Sequence, residues 1–421
     1  MTLAGGILAG NVIGFVRVAL TAYLLGTHSR ADSLAVAMGP MDTVNAVLTN
    51  SMLFAFVPML TARAGAERAA LFVKLRRTFI WVFAAIAAGG VAAAPWMMRV
   101  LAPGLEPEAF SDAVNILRIL AISTTAVGIA ALYSALLYTE RRFAPTAFYQ
   151  ASLNLFIVAA AIGLWKVAGV YAFAIGFTAG ACAQLALVSY VGRSSLKFAV
   201  LPPCDLHWGE MLAKPAFFTV YAIGLGLNIT FTRAYATHAG SGMAAALEYC
   251  IRGVGVPLAL VVQPFSNSLL PEIARLRSQA RLREASRLIG RTVGLAALVA
   301  VGGCGFALLF RHPAIGLLFQ RGSFTADSTE LVSAVFLGLG PSLIGWSLFE
   351  ILSRSLFALD RRWAPVLAAF IPVLVNAALT LRFGLSQPLL IGAGASIGTL
   401  AGFAVLFLAA LANRKRWMEQ A

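Results

Sequence analysis

Apolar stretches of about twenty residues recur from one end of the chain to the other, separated by short segments rich in charge, proline or glycine. A helix rising 1.5 Å per residue crosses a hydrocarbon layer of about 30 Å in roughly 20 residues. The pattern therefore predicts membrane-spanning helices near 3–25, 34–62, 78–101, 113–138, 145–166, 168–192, 212–236, 242–270, 290–311, 328–357, 363–382 and 388–412. Recurrence along the whole length excludes a lone signal peptide or a single anchor. Pro40 in the second run, and Pro257 and Pro264 in the eighth, predict kinks or tilts there.

The runs fall into two sets that resemble each other. Glu140-Arg-Arg-Phe-Ala-Pro145 recurs as Asp360-Arg-Arg-Trp-Ala-Pro365, and each box opens a run that soon reaches an asparagine, Asn154 or Asn376. Val57-Pro-Met-Leu60 is echoed by Leu270-Pro-Glu-Ile273, and a basic stretch follows both. Six runs per set place both repeats in the membrane with the same polarity, which makes the relation a parallel pseudo-two-fold about the membrane normal. The expected organisation is an N-terminal six-helix bundle over 1–195, a C-terminal bundle over 205–412 and a basic tail over 413–421. The fold class is an all-α polytopic membrane protein of about twelve transmembrane helices.

Composition agrees with this and then adds orientation. Of 421 residues 60% are hydrophobic and 12% charged, and the mean hydropathy of +0.84 is far above that of soluble chains. The net charge of +15 does not indicate nucleic acid, because the basic residues sit in short loops between apolar runs. Loops after even-numbered runs, with the C-terminal tail, hold 21 of the 32 Lys and Arg, whereas the opposite loops hold six. The positive-inside rule puts the even loops and both termini in the cytoplasm. Trp96, Trp165, Trp208, Trp363 and Trp417 lie near run ends, as an interfacial aromatic belt requires. Cys182, Cys204, Cys250 and Cys304 are scattered without CxxC spacing, as are the four histidines, so neither a disulfide framework nor a metal site is expected.

Five arginines remain inside apolar runs: Arg17, Arg118, Arg233, Arg252 and Arg354. A guanidinium facing lipid costs a few kcal/mol or more. Arg118 near a run start and Arg233 near a run end are expected to reach the interface by snorkelling. Arg354 follows Glu350 by one turn, an i,i+4 pair that neutralises itself. Arg252 follows Glu248 at the same spacing but lies about ten residues into its run, roughly mid-bilayer, while Glu248 near the outer end stays wet. Arg17 has no acidic residue within a turn. Arg17 and Arg252 therefore read as residues of an aqueous cleft. Their planar forks suit bidentate binding of phosphate or pyrophosphate. Asp32 is expected in an outer loop, with helix capping as its alternative role. Asp42, beside Pro40, is expected to face the cleft or a water pocket. Glycines every four residues, Gly6, Gly10 and Gly14 on the first run and Gly394, Gly398 and Gly402 on the last, permit close backbone contact, with static packing favoured over a hinge.

Several motifs carry a family resemblance: Gly14-Phe-Val-Arg17, Leu25-Gly26, Ala31-Asp32, Ala55-Phe-Val-Pro-Met-Leu60, Ala93-Ala-Pro-Trp96, Leu101-Ala-Pro-Gly104, Leu270-Pro271 and Leu318-Phe-Gln-Arg-Gly-Ser-Phe-Thr325. In this order, over nearly the whole chain, they resemble the MurJ (MviN) lipid II flippases of the MOP transporter group. That group also holds Wzx polysaccharide flippases and MATE drug exporters. The resemblance implies a V-shaped fold of two six-helix bundles around a cationic central cavity that receives the substrate's diphosphate and sugar-peptide head. Arg17, Asp32 and Arg252 occupy the matching positions. It also implies alternating access driven by an ion gradient or the membrane potential, with no bound cofactor.

The chain departs from the family pattern at several places. Asn11 stands where a second arginine is common, Val18 where an acidic residue follows Arg17, and Val44 and Asn45 where the second helix carries a basic pair. The expected cavity is thus less cationic than the family's, with Asn11, Asn45 and Asp42 joining the candidate substrate contacts. The family tends to carry two further C-terminal helices, whereas the runs here number twelve, the usual count for polysaccharide flippases. The expected function is to flip a polyprenyl-diphosphate-linked precursor, with lipid II first. A Wzx-like flippase of exopolysaccharide or O-antigen units, a MATE-like exporter and a scaffold in an envelope complex are the alternatives. No covalent chemistry, and hence no catalytic residue or metal, is expected. The partners implied are the lipid-linked saccharide, the bilayer and envelope-biosynthesis proteins, with no nucleic acid, in a bacterial inner membrane.

Overall fold

The computed structural model describes the backbone of residues 2–197, 202, 208–258, 262–384 and 386–419, and the regular structure there is helical throughout. The first half builds α1 (Thr2–Leu25), α2 (Ser29–Thr61), α3 (Gly65–Leu101), α4 (Pro107–Thr139), α5 (Ala144–Ala147), α6 (Tyr149–Ala168) and α7 (Tyr171–Gly192). The second builds α8 (Trp208–Ala236), α9 (Met243–Pro257), α10 (Gln263–Ser278), α11 (Leu282–Leu309) and α12 (Arg311–Phe319). It continues with α13 (Ala326–Leu339), α14 (Ser342–Ala358), α15 (Trp363–Ala368), α16 (Ile371–Phe383) and α17 (Pro388–Glu419). Among the described residues, eight helices or near-straight helix pairs are long and apolar enough by themselves to cross a membrane, and the bent pair α13 and α14 adds a ninth. All twelve apolar runs of the sequence are helical where described.

The differences from the sequence expectation lie at ends and breaks. Helix α3 starts at Gly65 rather than 78, because its first turns are amphipathic: Ala69, Leu71, Phe72 and Leu75 are buried while Lys74 and Arg77 are exposed. Helix α2 runs unbroken through Pro40 and Pro58. In the eighth run α9 ends at Pro257 and α10 begins at Gln263 with proline in its first turn, and Leu258 and Val262, the described residues between them, are π-helical, so the α-helical pattern changes where prolines were expected to disturb it. The run at 328–357 bends by 44° between α13 and α14, where Gly340 and Pro341 interrupt the backbone ladder. The fifth run of each half is broken soon after its start, at Phe148 between α5 and α6 and at Ala369 and Phe370 between α15 and α16. Helix α12 is a short element that hydropathy did not separate from its neighbours.

Two compact units result, Met1–Thr219 and Val220–Ala421, the division falling within α8. In the first, α4 is the central helix. It packs on α2, α3 and α7, and Ile116, Leu120, Leu132 and Leu136 are fully buried along it. Phe56, Phe72, Phe79 and Phe83 fill the space against it. Phe83 lies directly on Gly128, where an added Cβ comes within 2.5 Å of the ring. In the second unit α13, α14 and α16 pack on α17. Gly338 and Gly392 let α13 and α17 approach closely, and Ser396 donates to the Gly338 carbonyl at 2.7 Å. The glycine tracks are packing surfaces here: Gly10 and Gly14 face Gln150 and Asn154 of α6, and Gly398 and Gly402 face Pro372.

Candidate functional site

In the first unit the candidate residues lie on α1 and α2. Arg17 is buried, with 9% of its surface exposed. Thr21 donates to its backbone carbonyl at 2.8 Å. Asp32 is not a loop residue, because α2 starts three residues earlier, at Ser29, and the position before the helix is His28. The carboxylate is buried in the first turn, 2% exposed, where the helix N-terminus favours negative charge. Neither the outer-loop placement nor the capping alternative holds for it. Asn11 is half-buried, and among the described residues its amide nitrogen has no hydrogen-bond partner.

Further along α2, Asp42, Asn45 and Thr49 recur at three- and four-residue spacing and share one face. Asn45 accepts a 2.7 Å hydrogen bond from the Tyr149 hydroxyl at the start of α6 and a 3.4 Å bond from Thr49. Tyr149 was not expected from the sequence. It sits just after the break that follows the Glu140–Pro145 box, and that box was the available pointer to it.

The second unit holds a charged cluster on α8 and α9. Arg252 donates through Nε to Glu248 at 2.8 Å, and Arg233 donates to the other oxygen of the same carboxylate. Arg233 is therefore not snorkelling at an interface: only 6% of it is exposed. Nor does Glu248 stand free in water, since 17% of its side chain is exposed. Among the described residues Arg233 and Arg252 share this carboxylate, and the most accessible member of the cluster is Arg252, whose side chain is 33% exposed. Arg233 and Glu248 both lie within about a turn and a half of the short connection between Ala236 and Met243, which places them on adjoining helix ends. Sequence reasoning paired Glu248 only with its i,i+4 partner. The other predicted pair, Glu350 and Arg354 on α14, forms at 2.5 Å.

Such an arrangement holds two guanidinium groups beside one carboxylate and leaves part of the Arg252 fork exposed. A phosphate-bearing head group is the chemistry that takes up such donors. Among the described residues no group of three or more His, Cys, Asp or Glu forms a metal site.

The sequence profile of the family described as Lipid II flippase MurJ matches residues 21–420. Lipid II flippase MurJ of Burkholderia cenocepacia is 26% identical over 417 residues, which cover 91% of this chain and 80% of that protein. Probable lipid II flippase MurJ of Rhizobium meliloti is 27% identical, covering 99% and 80%. Among solved structures, a lipid II flippase MurJ in an inward closed conformation superposes with a TM-score of 0.83 at 19% identity, over 99% of this chain and 89% of that one. An inward-facing MATE multidrug transporter of the MOP superfamily gives 0.85 at 12% identity, over 97% and 96%. At those identities the structural likeness speaks for the fold alone, that of MOP-type transporters. The profile match, spanning almost the entire sequence, places this multi-pass membrane protein in the MurJ lipid II flippase family.

Proposed function

We propose that the chain flips lipid II, the polyprenyl-diphosphate-linked precursor of peptidoglycan, from the inner to the outer leaflet of the bacterial cytoplasmic membrane. The observation that carries this reading is the family match over residues 21–420, joined to a cluster in which Arg233 and Arg252 meet at Glu248 and Arg252 keeps a third of its side chain exposed. Arg252 and Arg17 are the residues this reading assigns to substrate phosphate, which gains charge-assisted hydrogen bonds at a guanidinium. Asn11, Asn45, Asp32 and Asp42 supply polar contacts to the head group. Glu248 keeps Arg252 extended until substrate phosphate competes for it, and Arg233 retains the carboxylate afterwards, so no charge is left buried alone.

No bond is made or broken in this process, and the protein acts as a transporter rather than an enzyme. Loaded with a diphosphate, the cavity responds to an ion gradient or to the membrane potential, which acts on each elementary charge with about 2.3 kcal/mol per 100 mV. The loop charges support cytoplasmic placement of both termini and of the even loops. Envelope-biosynthesis proteins that make and consume the precursor are the partners this implies.

The test is rescue. Expression in a strain depleted of its own lipid II flippase is expected to restore growth and outer-leaflet lipid II. Rescue confined to a capsule or O-antigen export defect, or drug resistance on overexpression without either rescue, would overturn the reading.

A further inference from the structure

Within the second unit, well away in sequence from the α8–α9 cluster, a cavity of about 870 Å³ opens between the ends of α10, α11, α14 and α17. Its lining is split by chemistry. Arg277, Arg287, Arg291 and Arg361 occupy one part, against Asp360 as the single acid of the lining. Val293, Leu352, Leu356 and Phe407 make the other part apolar. Asp360 is already engaged by Arg277 at 3.2 Å and by Arg362 at 2.7 Å. Arg287 and Arg291 are exposed and form no salt bridge among the described residues.

The apolar part has a shaped floor. Gly290 and Gly294, one turn apart on α11, face the cavity, and a Cβ added at either meets nothing within 4 Å. From Arg287 to Gly294 the helix advances about 10 Å toward the middle of the span at 1.5 Å per residue. A polar head placed on the arginines thus has an empty apolar bay beneath it, running along the helix into the hydrocarbon. A soluble anion has no use for that bay, and a zwitterionic lipid gains little from two adjacent arginines, Arg287 and Arg291, that form no salt bridge among the described residues. The combination fits a molecule with an anionic phosphate at the interface and a hydrocarbon tail below it.

We infer that this cavity binds an anionic glycerophospholipid of the surrounding leaflet, its phosphate held by Arg287 and Arg291 and an acyl chain lying in the bay over Gly290 and Gly294. Basic recesses between membrane helices offer this recognition because the Coulombic attraction adds to burial of the chain. The site depends on the protein's membrane setting and not on lipid II being its cargo.

The test compares retained lipid after reconstitution in nanodiscs of equal parts phosphatidylglycerol and phosphatidylcholine with matched acyl chains, read by native mass spectrometry. The wild-type chain is expected to retain phosphatidylglycerol at least about tenfold over phosphatidylcholine, the scale set by two arginines near a membrane surface. Arg287→Ala with Arg291→Ala is expected to abolish the preference. Gly290→Leu with Gly294→Leu projects side chains into the bay from positions where the first added carbon meets nothing within 4 Å; with an unchanged melting temperature as the check on folding, it is expected to reduce retention of both lipids. Equal retention of the two lipids by wild type would overturn the proposal. So would a preference that survives the double arginine variant, or a bay-filling variant that retains lipid as wild type does. Inorganic phosphate that raises the melting temperature of the detergent-purified protein as much as phosphatidylglycerol would also overturn it, by reassigning the arginines to a soluble anion.

Discussion

Asn154 in the first half donates its side-chain amide to the Gly10 carbonyl of α1 at 3.1 Å, and Asn376 in the second donates to Asn228 and Thr232 of α8 at 3.0 and 2.9 Å. Both asparagines are 2% exposed, both lie on the fifth span of their half, and each ties it to the first span of the same half. The fifth spans also break near their starts at matching places. One charged pair follows the same rule: Arg17 and Asp32 recur as Arg233 and Glu248 with the same spacing along the chain, on the first and second spans of each half. Arg252 does not, since Val36 stands at the matching place in the first half. The scaffold and one arginine–carboxylate pair were duplicated, while Arg252 is particular to the second half. Hydrogen bonds that hold helices together are constrained by the packing they serve, whereas buried charge persists where something uses it.

Several substitutions sharpen this contrast. Glu248→Ala has the largest expected effect, because it removes the carboxylate that Arg252 shares with Arg233, the latter only 6% exposed. Removing one partner of a buried ion pair costs about 3–5 kcal/mol, read as a lowered unfolding midpoint in detergent. Next come the paired asparagines. Asn376→Leu leaves Asn228 and Thr232 without their donor, and the expected loss of about 1–3 kcal/mol exceeds that of Asn154→Leu, which orphans a single carbonyl. An equal loss at both positions would erase the distinction between a side-chain network and a single backbone bond. Gly128→Ala presses a methyl onto the Phe83 ring and is expected to cost about 1–2 kcal/mol, whereas Gly294→Ala in the second unit meets open space and is expected to leave the melting temperature unchanged.

The smallest effect concerns the repeated loop box. Arg362 first, and Arg277 after it, hold the Asp360 carboxyl below its ordinary value of 3.8. A lowered folded value means that the carboxylate stabilises the protein above pH 3.8 and that the contribution is lost as pH falls through the folded value. Asp360 is 43% exposed, so Asp360→Asn is expected to cost at most about 1 kcal/mol at neutral pH. That difference should shrink below pH 3.8 in a pH series of unfolding midpoints. Its counterpart Glu140 pairs with Arg142 at 3.7 Å and also accepts from Ser195 at 2.7 Å.

Much of the scaffold was legible in the sequence because hydrocarbon is an undiscriminating solvent: a run of twenty apolar residues has one available conformation there. The repeat was legible through Glu140–Pro145 and Asp360–Pro365, and the structure extends it to the breaks at Phe148 and Ala369. The charged cluster was only half legible. Spacing along one helix pairs Arg252 with Glu248, but the competing bond from Arg233 comes from a neighbouring helix, and hydropathy carries no information about which helix faces meet. The same limit concealed Tyr149, whose partner Asn45 is on another helix. Asp32 was misplaced for a different reason: the polar residues Ser29 and Arg30 looked like loop, yet they form the first turn of α2.

The central claim is that deep arginines serve the phosphate of the cargo rather than the fold. Arg252→Ala isolates it, since Arg233 and Glu248 then remain as a neutral pair and the protein is expected to stay folded. The decisive measurement is outer-leaflet exposure of lipid II in cells depleted of their own flippase and carrying normally expressed Arg252→Ala or Arg17→Ala. Loss of a charge-assisted phosphate contact, about 1.5–3 kcal/mol, predicts a fall of at least about tenfold for each. Exposure at the wild-type level in both variants would contradict the account.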